Sequence, residues 1–324
     1  MPETKAPTTK TVEHGITVSA PAETVYGLIA DVTAWPQIFP PTVHAERIET
    51  DGTRERIRLW ATANGTAKTW TSRRELDPEG LRITFRQEVS QPPVGAMGGT
   101  WIIVPVSATE SRVRLLHDYR AVDDDPAKLA WIDQAVDRNS TAELAALKTA
   151  AEAAGASEAA DQPPRLLTFD DSVQINGSAK DVYDFLNEAQ LWTERLPHVS
   201  RVELQEETPG LQILEMDTRT KDGSTHTTKS VRVCLPYQRI VYKQIVLPAL
   251  MSLHTGHWDL VEKPGGGVTA TSRHSVVINE ANIAKVLGPD ADLAAAQAYV
   301  RNALSTNSLA TLSLAKQYAE RAGA

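Results

Sequence analysis

A chain of 324 residues with 41% hydrophobic content holds enough apolar side chain for a large buried core, and its length favours two domains over one. The net charge of -8 argues against non-specific nucleic-acid binding and against general attraction to anionic membranes or acidic carrier proteins, so any such contact needs a local basic patch. No run approaches the roughly 18 apolar residues of a membrane span, the stretch Met1-Pro2-Glu3-Thr4-Lys5 lacks a secretory pattern, and Cys234 is the only cysteine, leaving no intrachain disulfide and no CxxC metal site; a soluble cytoplasmic protein is expected.

Residues 1 to about 11 are polar. Organisation starts at His14, and the residues from Ile16 read as a strand followed by a helix, with Ser19 or Ala20 at the cap and Pro21 near the first turn, where a missing N–H is harmless. Val25, Leu28 and Ile29 give that helix its apolar stripe, and Asp31 through Trp35 opens a short second helix ending near Phe39-Pro40-Pro41. Turn signals at Asp51-Gly52, Asn64-Gly65, Asp77-Pro78-Glu79-Gly80 and Gly98-Gly99 then separate strands near 43–50, 54–62, 67–76, 81–89, 99–107 and 111–121. A long helix from about Pro126 to Ala154 closes the series, apolar at Leu129, Ile132, Val136, Leu144 and Leu147. Beyond it, Ala150–Pro164 shifts to Ala, Gly, Ser and Pro, the composition of a linker.

The plan then repeats. Tyr183 minus Tyr26 is 157, and the same offset pairs Trp35 with Trp192, Pro40 with Pro197, Arg82 with Arg239, Gln87 with Gln244, Gly99 with Gly256, Trp101 with Trp258 and His117 with His274. At the closing helices it becomes 168, pairing Asn139-Ser140 with Asn307-Ser308, so the second copy carries 11 extra residues, the difference between 168 and 157, in the region of residues 278–293. A duplicated domain explains so many matches at one offset. The expected organisation is an N-terminal domain over 12–155, a linker over 156–167 and a C-terminal domain over 168–322, each an α+β unit whose curved antiparallel sheet wraps a long C-terminal helix and leaves an interior cavity.

Side chains alternate along a strand, so Lys68, Trp70, Ser72 and Arg74 share one face, and if the Trp70 face is inward then Arg74 points into an apolar interior. A desolvated guanidinium needs a partner, which a ligand, a wet cavity or a carboxylate can supply; alternatively Arg74 is a strand-end residue reaching solvent. On the strand 112–121, His117 shares the apolar face with Val113, Leu115 and Tyr119, and the repeat places His274 at the equivalent spot. Each imidazole is either a satisfied core histidine or a proton-transfer group.

The turn Ala34-Trp35-Pro36-Gln37-Ile38-Phe39, the strand Trp70-Thr71-Ser72-Arg73-Arg74, Trp101 and Asn139-Ser140 together resemble the polyketide aromatase/cyclases of bacterial type II aromatic polyketide pathways, within the START-like, helix-grip superfamily; the duplication resembles their di-domain members. The resemblance spans about residues 12–155 and 168–322. It implies regiospecific cyclisation of a carrier-bound, ketoreduced poly-β-keto chain followed by dehydration to an aromatic ring, with an acyl carrier protein, a minimal polyketide synthase and a ketoreductase as partners and no cofactor. The reaction needs positioning of the chain, polarisation of a carbonyl and proton shuttling. Arg74, His117 and Ser72 are the candidates in the first domain, and Trp35, Phe39, Trp70, Phe85, Trp101, Asn139, Trp192 and Trp258 the cavity residues, each aromatic having a core reading too. Thr42 stands where some family members place a tyrosine after the Trp-Pro turn.

At offset 157, Arg74 falls on Val231, Trp70 on Thr227 and Ser72 on Lys229, while Arg232 falls on the opposite face. Lys229 is therefore the candidate cation of the second domain, or a residue solvated at its mouth, and His274 its candidate proton shuttle. His254 and His257 face opposite sides of a strand, so one metal cannot see both. No phosphate loop or dinucleotide fingerprint is present. Arg54, Arg56 and Arg58 form either a solvated strand face or a patch for an acidic carrier protein. The rival reading is a non-catalytic START-like carrier of a lipid or hydrophobic metabolite, and a third is an interaction protein using the second domain as a scaffold.

Overall fold

Alternation along the strands becomes two-faced sheets. In Glu110–Ala121, Val113, Leu115 and Tyr119 are buried while Arg112 and Arg120 are exposed. The computed structural model describes residues 9–157, 166–219 and 225–322, and the chain divides between Gln162 and Pro163 into two units.

The first unit runs β1 (Lys10–Val18), α1 (Ala22–Ala30), α2 (Trp35–Ile38), β2 (Thr42–Thr50), β3 (Arg54–Ala63), β4 (Thr66–Asp77), β5 (Arg82–Val89), β6 (Val94–Ser107), β7 (Glu110–Ala121) and α3 (Pro126–Ser157). Its seven strands form one antiparallel sheet in the order β1-β7-β6-β5-β4-β3-β2. Helix α3 lies against β1 and β7 and buries Ile132, Val136, Ser140, Leu144, Leu147 and Ala151. Val25 and Ile29 of α1, Phe39, Ile83, Trp101 and Val113 complete that core.

The second unit repeats the order with β8 (Leu166–Ile175), α4 (Ala179–Asn187), α5 (Trp192–Arg195), β9 (Val199–Thr208), β10 (Leu211–Arg219), β11 (Thr225–Leu235), β12 (Arg239–Val246), β13 (Met251–Glu262), β14 (Val268–Ile278), α6 (Ile283–Leu287) and α7 (Leu293–Ala322). Its sheet is β8-β14-β13-β12-β11-β10-β9. The 11 extra residues supply α6, whose Ile283 packs with Leu250, Met251, Val276, Ile278, Ala296 and Val300. Two helix-grip units in tandem are what the repeat predicts.

Two features depart from expectation. Gly98-Gly99 is not a turn but lies inside β6, and glycine is needed at 99 because a Cβ there would meet the Leu116 carbonyl and the Phe85 ring. Gly256 stands likewise against the Arg273 carbonyl and the Tyr242 ring. The second departure is the repeat offset in β11. Thr62 pairs with Ala67 across the β3–β4 hairpin, and Arg219 pairs with Thr225 across the β10–β11 hairpin; 62 plus 157 is 219, but 67 plus 158 is 225. The next hairpin removes the residue again, since Asp77 pairs with Arg82 and Leu235 with Arg239. Throughout β11 the offset is therefore 158, and the counterpart of Arg74 is Arg232, not Val231.

Candidate active site

One row of residues crosses the first sheet on its inward face. Strand pairing sets Val12 beside His117, His117 beside Gly99, Gly99 beside Phe85, Phe85 beside Arg74 and Arg74 beside Glu55. In the second sheet the row is Phe169, His274, Gly256, Tyr242, Arg232 and Gln212. The glycine in the middle leaves room for the aromatic ring from the next strand to lean across it toward the histidine. Between histidine and arginine lie three strand spacings, roughly 14 Å at about 4.8 Å each.

Arg74 is 2% exposed and points inward, as alternation requires, and the partner it finds is a carboxylate. Its Nη1 donates to Glu55 at 2.7 Å and to the Ala30 carbonyl at 3.3 Å, and its Nη2 to the Ile29 carbonyl at 2.8 Å. These carbonyls belong to the last turn of α1, where no helical N–H remains to serve them, so the guanidinium caps the helix. It also lies 5.1 Å from the Trp35 ring centroid. Burial pulls the guanidinium down to about 10, against the opposing pull of Glu55, so it stays charged at neutral pH. Arg232 does the same for α4: it is 2% exposed, donates to the Leu186 carbonyl at 2.6 Å and lies 5.1 Å from the Trp192 ring. Gln212 replaces Glu55 opposite it, so burial pulls this guanidinium down without a carboxylate in that place.

Around these arginines the expected cavity residues divide. Trp35 donates to the Ile29 carbonyl at 3.1 Å and meets Phe39 edge-on at 5.2 Å; Phe39 stacks on Trp101 at 6.2 Å, and both of these are core residues. Trp70 packs with Trp35 against Ala45, Ile57 and Leu59. Ser72 is buried on the Arg74 face. Asn139 ties α3 to β3 by donating to the Thr62 carbonyl at 3.0 Å. In the second unit Trp192 donates to the Phe185 carbonyl at 3.3 Å, and Trp258 is buried in the core. Lys229 does not share the face of Arg232: it stands on the outward face, 3.4 Å from Glu215, beside Arg201 and Asp217. The extra hairpin residue reverses the parity on which its inward placement rested.

The two histidines differ in company. His117 meets the Phe85 ring edge-on at 5.5 Å, its Nδ1 is buried with no hydrogen-bond partner among the described residues, and burial holds the imidazole down to about 4. His274 sits in a polar cluster. Its Nδ1 is 2.9 Å from the Tyr242 hydroxyl and 3.0 Å from His254 Nε2; its Nε2 is 2.7 Å from the Ser308 hydroxyl of α7 and 3.1 Å from Ser272. Phe169 stacks on its ring at 5.1 Å. Burial holds His274 down to about 4 and His254, with the neighbouring imidazole adding, to about 3, while it pushes the Tyr242 phenol up. All three are neutral at pH 7. His257 faces the other way, 3.1 Å from Asp259.

Comparisons with known proteins identify the family and the fold. The family model described as polyketide cyclase / dehydrase and lipid transport matches residues 9–152, and a second model of the same description matches 175–298. The granaticin polyketide synthase bifunctional cyclase/dehydratase of Streptomyces virginiae is 56% identical over 94% of this chain and 98% of its own. The chain belongs to the polyketide cyclase / dehydrase family. The actinorhodin polyketide synthase bifunctional cyclase/dehydratase of Streptomyces coelicolor is 44% identical over 93% of this chain and 94% of its own. Among solved structures, the di-domain aromatase/cyclase BexL from the BE-7585A biosynthetic pathway is 61% identical with a TM-score of 0.82, covering 96% of this chain and 99% of its own. StfQ, the di-domain aromatase/cyclase from the steffimycin pathway, is 36% identical, also at 0.82, over 97% and 100%. The resemblance to di-domain members drawn from the sequence is thus borne out.

Within this family member, sequence reasoning gave no site role to Glu55, Tyr242, Ser308 or Glu143, and weighed His254 only as a metal ligand. Tyr242 was within reach, since Phe85 plus the offset of 157 lands on it. Glu55 needed the register with Arg74. Glu143 follows Ser140 by three residues on the same side of α3, and burial pushes its carboxyl up to about 8.

Proposed function

We propose that the protein is a polyketide aromatase/cyclase that sets the first ring of a carrier-bound, ketoreduced poly-β-keto chain by aldol closure and then dehydrates it. The observation that carries this reading is the row in each sheet: a neutral imidazole and an aromatic ring on one inward face, in a fold whose relatives are cyclase/dehydratases. Methylenes between two carbonyls are already acidic, so the protein's task is to choose which carbon meets which carbonyl and to move protons. His117 and His274 are the proton-transfer groups in this reading. Arg74, which the sequence set against a substrate carbonyl, acts here as a positioning residue that fixes α1 and the Trp35 ring, and Ser72 lies beside it. A lipid carrier has no use for a buried proton-transfer group on the inward face of each unit.

Its partners in this reading are the carrier protein bearing the substrate, the minimal polyketide synthase and the ketoreductase, met in the cytoplasm. Among the described residues no helix is long and apolar enough to cross a membrane. The test is reconstitution with a minimal polyketide synthase and a ketoreductase. An aromatised first ring with the protein and shunt products without it are expected; one ring pattern in both would overturn the assignment.

A further inference from the structure

The cluster around His274 contains a conflict that the first unit lacks. Nδ1 of an imidazole offers either one in-plane lone pair or one N–H, yet the Tyr242 hydroxyl at 2.9 Å and His254 Nε2 at 3.0 Å both address it. Only one can hold it at a time. His254 is 2% exposed and enclosed by the core, whereas Tyr242 is only half-buried, on the inward face. When Tyr242 donates to Nδ1, its oxygen keeps lone pairs free to take a proton from a ligand; when His254 takes Nδ1 instead, the phenol proton is free for a ligand oxygen, so the two states match the two halves of a proton relay. Beside it, on the same face of β12, the Gln244 Oε1 is buried without a hydrogen-bond partner among the described residues. On the far side of the ring, Ser308 and Ser272 hold Nε2 and fix the imidazole plane, the arrangement of a hydroxyl activated by an oriented base.

We propose that Tyr242, paired with His274, is the acid–base group that dehydrates the closed ring, so that loss of water occurs in the second unit. This rests on the aromatase/cyclase reading and assigns one of its steps. The aldol product carries a hydroxyl on the carbon next to an acidic C–H. The Tyr242 oxygen takes the proton from that carbon as its own proton moves to His274 Nδ1; the C–H electrons pass into the adjacent carbonyl as an enolate. The enolate electrons then form the carbon–carbon double bond, the C–O bond breaks, and the proton held by His274 returns through Tyr242 to the departing hydroxyl, which leaves as water. The protein ends as it began, and no other reactant is consumed.

The chain supplies its own control, because the first unit carries Phe85 at the Tyr242 position, packed over Gly99 as Tyr242 is over Gly256. Tyr242→Phe therefore keeps the ring and removes the hydroxyl. In the reconstituted pathway, Tyr242→Phe is expected to leave ring register and melting temperature unchanged while slowing aromatisation by about 10²-fold or more, so that a cyclised, undehydrated product accumulates. His274→Gln should accumulate the same product. Aromatisation at the wild-type rate in folded Tyr242→Phe overturns the proposal and leaves the cyclase reading standing; a wild-type protein that does not alter the ring pattern overturns both. Shunt products of altered register from Tyr242→Phe would place the residue in chain folding and likewise overturn it.

Discussion

Arg74 shows how a residue's chemistry is decided by what it finds inside. Its donors are engaged by Glu55 and by the Ile29 and Ala30 carbonyls, so Arg74→Ala leaves Glu55 with Arg47 as its remaining partner, the Ile29 carbonyl with Trp35 alone and the Ala30 carbonyl uncapped. A loss of about 1–3 kcal/mol is expected, which for a unit of this size is a fall in melting temperature on the order of 5 °C; an unchanged melting temperature would return Arg74 to the role of a free ligand cation. The buried imidazoles predict an acid-sensitive fold. His117, His254 and His274 are held at about 4, 3 and 4, below the roughly 6.5 of an unfolded chain, so the unfolded state binds more protons in that window and stability falls as pH drops from about 6.5 towards 4. His254→Met, which installs the Met97 of the first unit, should flatten the dependence of melting temperature on pH over that range. Glu143 works in the opposite direction. With its carboxyl pushed up to about 8 from 4.5, the folded state keeps a proton that the unfolded state has lost, and stability falls as pH rises through that window; Glu143→Gln should remove that slope, and a slope identical to wild type would show the carboxyl titrating normally.

Elements are tuned by single residues at the row. Gly99 and Gly256 let the rings of Phe85 and Tyr242 cross their strands, and the backbone carbonyls that a Cβ would strike cannot swing away as side chains do. Gly256→Ala is therefore expected to displace Tyr242 from His274 and to lower both aromatisation and stability, by about 1–3 kcal/mol for an overpacked site; a folded variant with wild-type activity would show that the ring does not need the glycine. Hairpin length acts at the same scale. One residue added before β11 and one removed after it keep Arg232 inward under Trp192, and they send Lys229 outward to Glu215. Arg54, Arg56 and Arg58 lie outward on β3, with Arg56 held by Glu88 at 2.6 Å and Glu49 at 3.3 Å, so a carrier protein meeting this face competes with pairs already made.

At the scale of the whole molecule, the two units carry the same row with different chemistry: an apolar surround of Phe85 for His117, and hydroxyls with a second imidazole for His274. Both keep a buried arginine, which faces Glu55 in the first unit and Gln212 in the second, so the two rows differ at both ends. Each unit has its own sheet, closing helix and core, and the proposed boundary lies in the Ala- and Pro-rich stretch between them. Halves cut within about residues 154–163 are expected to fold separately, each with a cooperative melting transition; insoluble or molten halves would mean that each core depends on the other.

The sequence by itself determined the duplication, the strand-and-helix plan, the family and the inward parity of Arg74, His117 and His274, because alternation, apolar stripes and a constant offset are local or periodic and need no knowledge of contacts. Tertiary structure alone decided who meets whom. That Arg74 is paired to Glu55, that Arg232 and not Lys229 is its counterpart, that Gly98-Gly99 runs straight through a strand, and that Tyr242 and His254 compete for one nitrogen of His274 all depend on strand register. Register is fixed by hairpin lengths and by packing across the sheet, and a shift of one residue, invisible in a list of matching positions, turns a side chain from the interior to solvent.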